Sequence, residues 1–168
     1  MIHVKINTST YPTEDPDRVM AALKNMFVFD EGQVQRETKM ETVQLKLDMA
    51  ARYEVEATRL VLELDGRECL EKLRDMFKNE SIEECARAVL FDSKHPVEGN
   101  AFRLSFRLHK QAAFMGKVHF SELHESPLGP INVDITTDDP VPLIDWLAPR
   151  ETAPLKVKAG KKHTACKD

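Results

Sequence analysis

Between residues 102 and 108 the chain alternates Phe102, Leu104, Phe106 and Leu108 with Arg103, Ser105 and Arg107, and His109 continues the polar series. Successive side chains of a strand point to opposite faces. Packing the apolar four inward therefore turns Arg103, Ser105, Arg107 and His109 outward together. Four residues of strand separate the two guanidinium groups by about 13–14 Å. Phosphates along one nucleic-acid strand lie roughly half that far apart, so the pair suits alternate phosphates. Lys110 and Lys117 follow the strand and extend the cationic stripe. The plain alternative is a set of solvating charges paired with acids on neighbouring strands.

Other chemistries find less support. His119, Glu122 and His124 lie within six residues, with His109 in the adjacent strand region, but they match neither a helix-borne HExxH nor a Cys/His zinc spacing. Satisfied or solvent-facing histidines are the better reading. No GxSxG elbow occurs. Cys69 and Cys85 fall on the apolar faces of expected helices, where a thiol is inert. Gly160-Lys161-Lys162-His163-Thr164 lacks the spaced glycine of a phosphate loop. Asp138-Asp139 suits the cap of a helix starting at Pro140. No enzyme, metal or cofactor is expected.

The chain has 168 residues, 42% of them apolar and 31% charged, and a net charge of −4. Its length fits one domain with a real core, and its composition excludes disorder throughout. No apolar run approaches the length of a membrane span, and the N-terminus lacks a signal-peptide layout. Three cysteines without a CxxC pair argue against a disulfide framework and fit the cytoplasm. The charge is unevenly spread. Residues 94–119 carry five Lys or Arg against one acid, and residues 120–148 carry six acids and no base. The last twenty residues are basic again, six against two. An acidic protein with a local basic face still offers an anion a place to bind.

The elements that must hold these residues follow from periodicity. Ile2, Val4 and Ile6 alternate as a strand. Asp15-Pro16 opens a helix with Val19, Met20, Leu23, Met26 and Phe27 inward. Strands over 43–49 and 60–64 are the better reading, although Met40, Val43 and Leu47 also suit a helix; next comes a helix burying Cys69, Leu70, Leu73, Met76 and Phe77. Ser81-Ile82-Glu83-Glu84 reads as a capping box for a helix whose apolar side is Cys85, Ala88, Val89 and Leu90. Residues 95–100 read as a loop, 102–108 as the clearest strand, 110–117 as a connection and 118–120 as a short strand. Ile131, Val133 and Ile135 form the last strand, followed by a helix with Leu143, Ile144, Trp146 and Leu147. Mixed elements without strict alternation give an α+β domain over 1–149, with a largely antiparallel sheet, helices on one face and the other face free. Residues 150–168 are expected to form a basic, mobile tail, dispensable for folding.

Three stretches are more specific than pattern: Tyr11-Pro12-Thr13-Glu14-Asp15-Pro16, Leu108-His109-Lys110-Gln111-Ala112-Ala113-Phe114-Met115-Gly116-Lys117, and Glu125-Ser126-Pro127-Leu128-Gly129-Pro130. With Ala86-Arg87 and Asp145-Trp146-Leu147-Ala148-Pro149 they resemble an archaeal family of uncharacterised conserved proteins. The resemblance covers roughly residues 1–149, is weak over 33–66 and is absent from the tail. It implies a fold like that of the ribosomal protein that binds 5S ribosomal RNA in the large subunit, a homodimer, RNA as partner and no enzymatic activity. It also implies an alternative, because related domains occur beside or fused to a nucleotide kinase-like domain: a dimeric partner or regulatory subunit of a nucleotide or coenzyme kinase-like protein. Inside the second stretch Gln111 can read a base, and Phe114 can stack one if exposed, although core packing beside Ala112 and Ala113 is the preferred reading of Phe114. The expected RNA-facing set is Arg103, Arg107, His109, Lys110, Gln111 and Lys117.

Overall fold

The computed structural model describes residues 1–44, 52–122, 125 and 128–150. Its elements run β1 (Ile2–Thr10), α1 (Pro16–Met26), β2 (Val34–Gln44), β3 (Arg52–Asp65), α2 (Glu71–Asn79), α3 (Glu83–Ser93), β4 (His95–Val97), β5 (Ala101–Leu108), α4 (Lys110–Phe114), β6 (Ile131–Thr137) and α5 (Pro140–Leu147). The six strands form one sheet in the order β2-β3-β1-β6-β5-β4. Every pairing is antiparallel. The α+β class and the antiparallel sheet are as the sequence implies.

Alternation sorts the sheet into two faces. Val4 and Ile6 of β1, Leu60, Leu62 and Leu64 of β3, Leu104, Phe106 and Leu108 of β5, and Ile131, Val133 and Ile135 of β6 are all buried on one side. Against them pack Leu23 and Met26 of α1, Leu73 and Phe77 of α2, Ala86 and Leu90 of α3, and Ile144 and Leu147 of α5. Burying one such Leu, Ile or Phe is worth about 1.5–3 kcal/mol. Reversing the register of any central strand would place several of these residues in water. The opposite face carries Lys5, Asn7, Arg103, Ser105, Arg107, Asn132 and Asp134.

Several elements differ from expectation. β2 spans Val34–Gln44 and pairs with β3 along its whole length, from Val34 opposite Leu62 to Gln44 opposite Arg52. Of the strand expected over 43–49, Leu45, Leu47 and Met49 lie outside the described residues, as does the expected tail beyond Arg150. β2 is an edge strand; over residues 34–42 Val34 is the one buried side chain and Met40 is exposed, so this stretch has no hydrophobic period to read. The expected loop at 95–100 begins as the three-residue edge strand β4, which turns back to β5 through Gly99 and Asn100, both at positive φ. The expected connection after β5 is the helix α4. The 118–120 strand reduces to a single bridge, Phe120 with Leu108.

Helix starts also differ. Asp15 caps α1 as expected, its Oδ1 accepting from the Asp17 amide at 2.9 Å. The Ser81 capping box does not form: Ser81 has a φ of 55°, Ile82 is the cap residue, and no side chain closes that end. The inward side of α3 is Ala86, Arg87 and Leu90, with Ala88 exposed. Asp139 stands at the cap of α5 without a side-chain bond, while Asp138 accepts from the N-terminal amine at 2.9 Å.

Candidate functional site

β5 presents Arg103 and Arg107 on the open face, as its alternation requires. Arg103 is exposed and Arg107 half-buried. Register places Arg103 opposite Thr136 and Arg107 opposite Asn132, so both neighbours on β6 are neutral. The acid between them, Asp134, lies opposite Ser105 and accepts its hydroxyl at 2.6 Å. Other groups on this face pair with each other: Lys5 lies 3.7 Å from Glu63, and His3 Nδ1 lies within hydrogen-bond distance, 2.9 Å, of Asp65 Oδ1. Among the described residues neither Arg103 nor Arg107 makes an ion pair. Among the described residues the two arginines are thus solvent-facing but not acid-paired.

Lys110 is a correction. It is not on the stripe but 5% exposed. Its Nζ donates to Glu14 Oε1 at 2.9 Å, to the Ser9 carbonyl at 2.6 Å and to the Leu128 carbonyl at 2.7 Å. These partners account for all three ammonium hydrogens, leaving none for a phosphate. Burial pulls the ammonium below the ordinary lysine value, opposed by Glu14 and Glu41. β5 ends at Leu108 and Lys110 opens α4, so the alternation that turns Arg103 and Arg107 outward does not reach it.

The remaining expected residues disperse. His109 caps α4, its Nδ1 accepting from the Ala112 amide at 3.3 Å. Its ring packs edge-on against His119 at 5.5 Å. Gln111 is exposed on α4 and lines a cleft rather than the sheet. Lys117 is exposed just beyond Gly116, which ends the α4 turn at a φ of 72°.

What sequence reasoning missed is the set around Lys110. Glu14 enters from the first of the specific stretches and also accepts from the Tyr11 amide at 3.1 Å. Lys110 comes from the second and Leu128 from the third. The Tyr11 ring lies beneath the ammonium at 5.5 Å, and its hydroxyl donates to Glu41 of β2 at 2.8 Å. Ser9 donates to the same carboxylate at 2.8 Å. Burial, then the bond and charge of Glu41 and the charge of Glu14, push the Tyr11 phenol far above its usual value. A buried cation thus joins three stretches that are far apart in sequence.

Above this pair opens a cleft of about 610 Å³ whose lining includes Asp15, Arg18, Gln111, Phe114, Met115 and Leu128. Phe114 is 37% exposed, which corrects the core-packing reading; Ala113 is the buried residue of the turn. The Arg18 guanidinium lies 5.4 Å from the Phe114 ring centre.

The histidine group makes one hydrogen-bonded pair, not a cluster. His119 Nε2 lies 2.9 Å from Glu125 Oε1, and the bond from His119 holds the Glu125 carboxyl down at about 2, with the Glu122 amide assisting. His124 lies outside the described residues, among which no three metal-ligating side chains converge. Cys69 is buried and free, and burial pushes its thiol up to about 11, which suits an inert role. Cys85 is not a free thiol, contrary to expectation.

A family model described as RNA binding matches residues 3–137. The chain is 38% identical over 139 residues to a UPF0201 protein of Pyrobaculum aerophilum, covering 82% of each. It is 34% identical over 151 residues to a UPF0201 protein of Sulfolobus acidocaldarius, covering 89% of each. Among solved structures, the UPF0201 protein of Methanococcus jannaschii matches with a TM-score of 0.59 at 26% identity, over 89% of this chain and 95% of that one.

Proposed function

The chain belongs to the UPF0201 family of archaeal proteins and matches its RNA-binding model, and from that premise we propose a non-catalytic RNA-binding module that contacts phosphates from the open face of its sheet. The observation that carries this reading is the pair Arg103 and Arg107, free of ion pairs among the described residues and set against neutral neighbours on β6. Charges already paired would have to be separated before meeting a phosphate, and these two would not. Phosphate contacts of this kind position a nucleic acid without reading its sequence. Resemblance to the 5S-binding ribosomal protein points to ribosomal or processing RNA. The family resemblance, with an antiparallel sheet whose edge strands pairing would cover, supports a homodimer, and the cysteine usage supports a cytoplasmic one. Fluorescence anisotropy with labelled RNA at low salt tests the function. Binding by the wild-type protein that weakens alike on all sequences in Arg103→Ala/Arg107→Ala supports it; no binding to RNA rejects it.

A further inference from the structure

We propose that the cleft between α1 and α4 is a pocket for one unstacked base of single-stranded RNA, with Phe114 and Arg18 as stacking surfaces and Gln111 reading the base edge. This deepens the RNA-binding reading and rests on it.

Size and charge select the ligand. A volume of about 610 Å³ falls within the roughly 300–1,000 Å³ of small-ligand sites. The charges lining it balance: Lys110 is held by Glu14, and Arg18 faces a wall that also bears Asp15. An isolated anion gains little from such a lining. A flat, uncharged body with polar edges fits it better, and a nucleobase is such a body. The wall offers the matching groups. Phe114 and Met115 are exposed at the rim, at 37% and 71%, and Arg18 already lies over the Phe114 ring. Aromatic rings and guanidinium planes are the usual stacking partners of unpaired RNA bases. Gln111 is exposed beside them, with an amide that both donates and accepts.

The platform is held in place before any ligand arrives. Asn25 Nδ2 on α1 donates to the carbonyls of Ala113 at 3.0 Å and Phe114 at 3.1 Å, fixing the end of α4. Lys110 anchors its beginning. Both ends of the α4 turn are thus tied by hydrogen bonds before a base enters, which lowers the ordering cost of binding.

Four labelled single-stranded RNA decamers, each of one base, and a duplex RNA measure the effect by anisotropy. The expected result is a base preference in the wild-type protein. Phe114→Ala should lose about 5- to 150-fold on the preferred decamer, with an unchanged salt slope. Phe114→Trp should retain that affinity, and Gln111→Ala should flatten the preference. Circular dichroism melts confirm that each variant is folded. Wild-type binding that neither Phe114→Ala nor Gln111→Ala alters overturns the pocket and leaves the sheet-face reading standing. Binding to duplex but to no decamer also overturns it. So does a Phe114→Ala variant that changes oligomeric state with RNA affinity intact, which assigns the rim to protein contact. A wild-type protein that binds neither decamer nor duplex removes both readings.

Discussion

Lys110 sits two residues beyond a strand of outward arginines, yet no phosphate can reach it, because burial and three acceptors have already committed its charge. A buried ion pair is sensitive to the loss of one member. Lys110→Met leaves Glu14 charged and 9% exposed, with the Ser9 and Leu128 carbonyls unpaired. The expected cost is about 3–5 kcal/mol, read as a lowered urea midpoint. Adding Glu14→Gln removes the stranded charge and should recover part of the loss. Equal stability of the single and double variants would contradict this account. Tyr11 gives a second test. A phenol held above its usual value keeps its proton in the folded state where the unfolded chain, with a pKa of about 10, loses it. Stability contributed by Tyr11 is thus fully present below about pH 10 and is lost as pH rises above it. Lys110 acts in the opposite sense just below its unfolded value, so the comparison must be with Tyr11→Phe. The ultraviolet phenolate band of the wild-type protein minus that of the variant should stay absent at pH 10. A difference band half-developed there would refute the burial and the bond to Glu41.

At the scale of elements, strands whose one face is buried were legible and those without a buried face were not. β1, β5 and β6 alternate because one side of each is packed, and their residues give the period away. β2 carries Gln35, Arg36, Glu37, Thr38 and Lys39 in succession, all exposed, so its pairing with β3 is fixed by backbone bonds and by the register of its partner. Of the site, Arg103 and Arg107 followed from alternation, whereas the Glu14–Lys110 pair joins residues 96 apart and no local period encodes it. α4 escaped notice because five residues offer too short a run for a helical period. The β4–β5 turn was read as a loop, although Gly99 and Asn100 are residue types that tolerate a left-handed backbone. A Cβ at Gly99 would meet nothing within 4 Å, so Gly99→Ala probes the backbone alone. At its φ of 80° the substitution should cost about 1 kcal/mol, lowering the melting temperature by a few degrees. An unchanged melting temperature would show that the turn relaxes without penalty.

For the molecule as a whole, the net charge of −4 makes any RNA binding depend on where cations stand free of acids. Withdrawing Lys110 from the expected set leaves Arg103, Arg107 and Lys117 as its exposed or half-exposed cations. On single-stranded RNA each neutralised phosphate contributes about −0.7 to the slope of log affinity against log salt, so three contacts give roughly −2. Four, with Lys110 included, would have given roughly −3. Arg103→Ala with Arg107→Ala should reduce the magnitude by between about one and two units, without changing which sequence is preferred. Phe114→Ala should do the reverse, leaving the slope and altering the preference. Neither change touches the core, so folding free energies should stay within about 0.5 kcal/mol for the arginine pair. Titrations of labelled RNA across a salt series measure the slope directly. A wild-type slope near −2 that the double variant leaves intact would move the phosphate contacts off the sheet face. A slope that collapses with unchanged base preference would place them on it, separating the surface that holds the backbone from the cleft that selects a base.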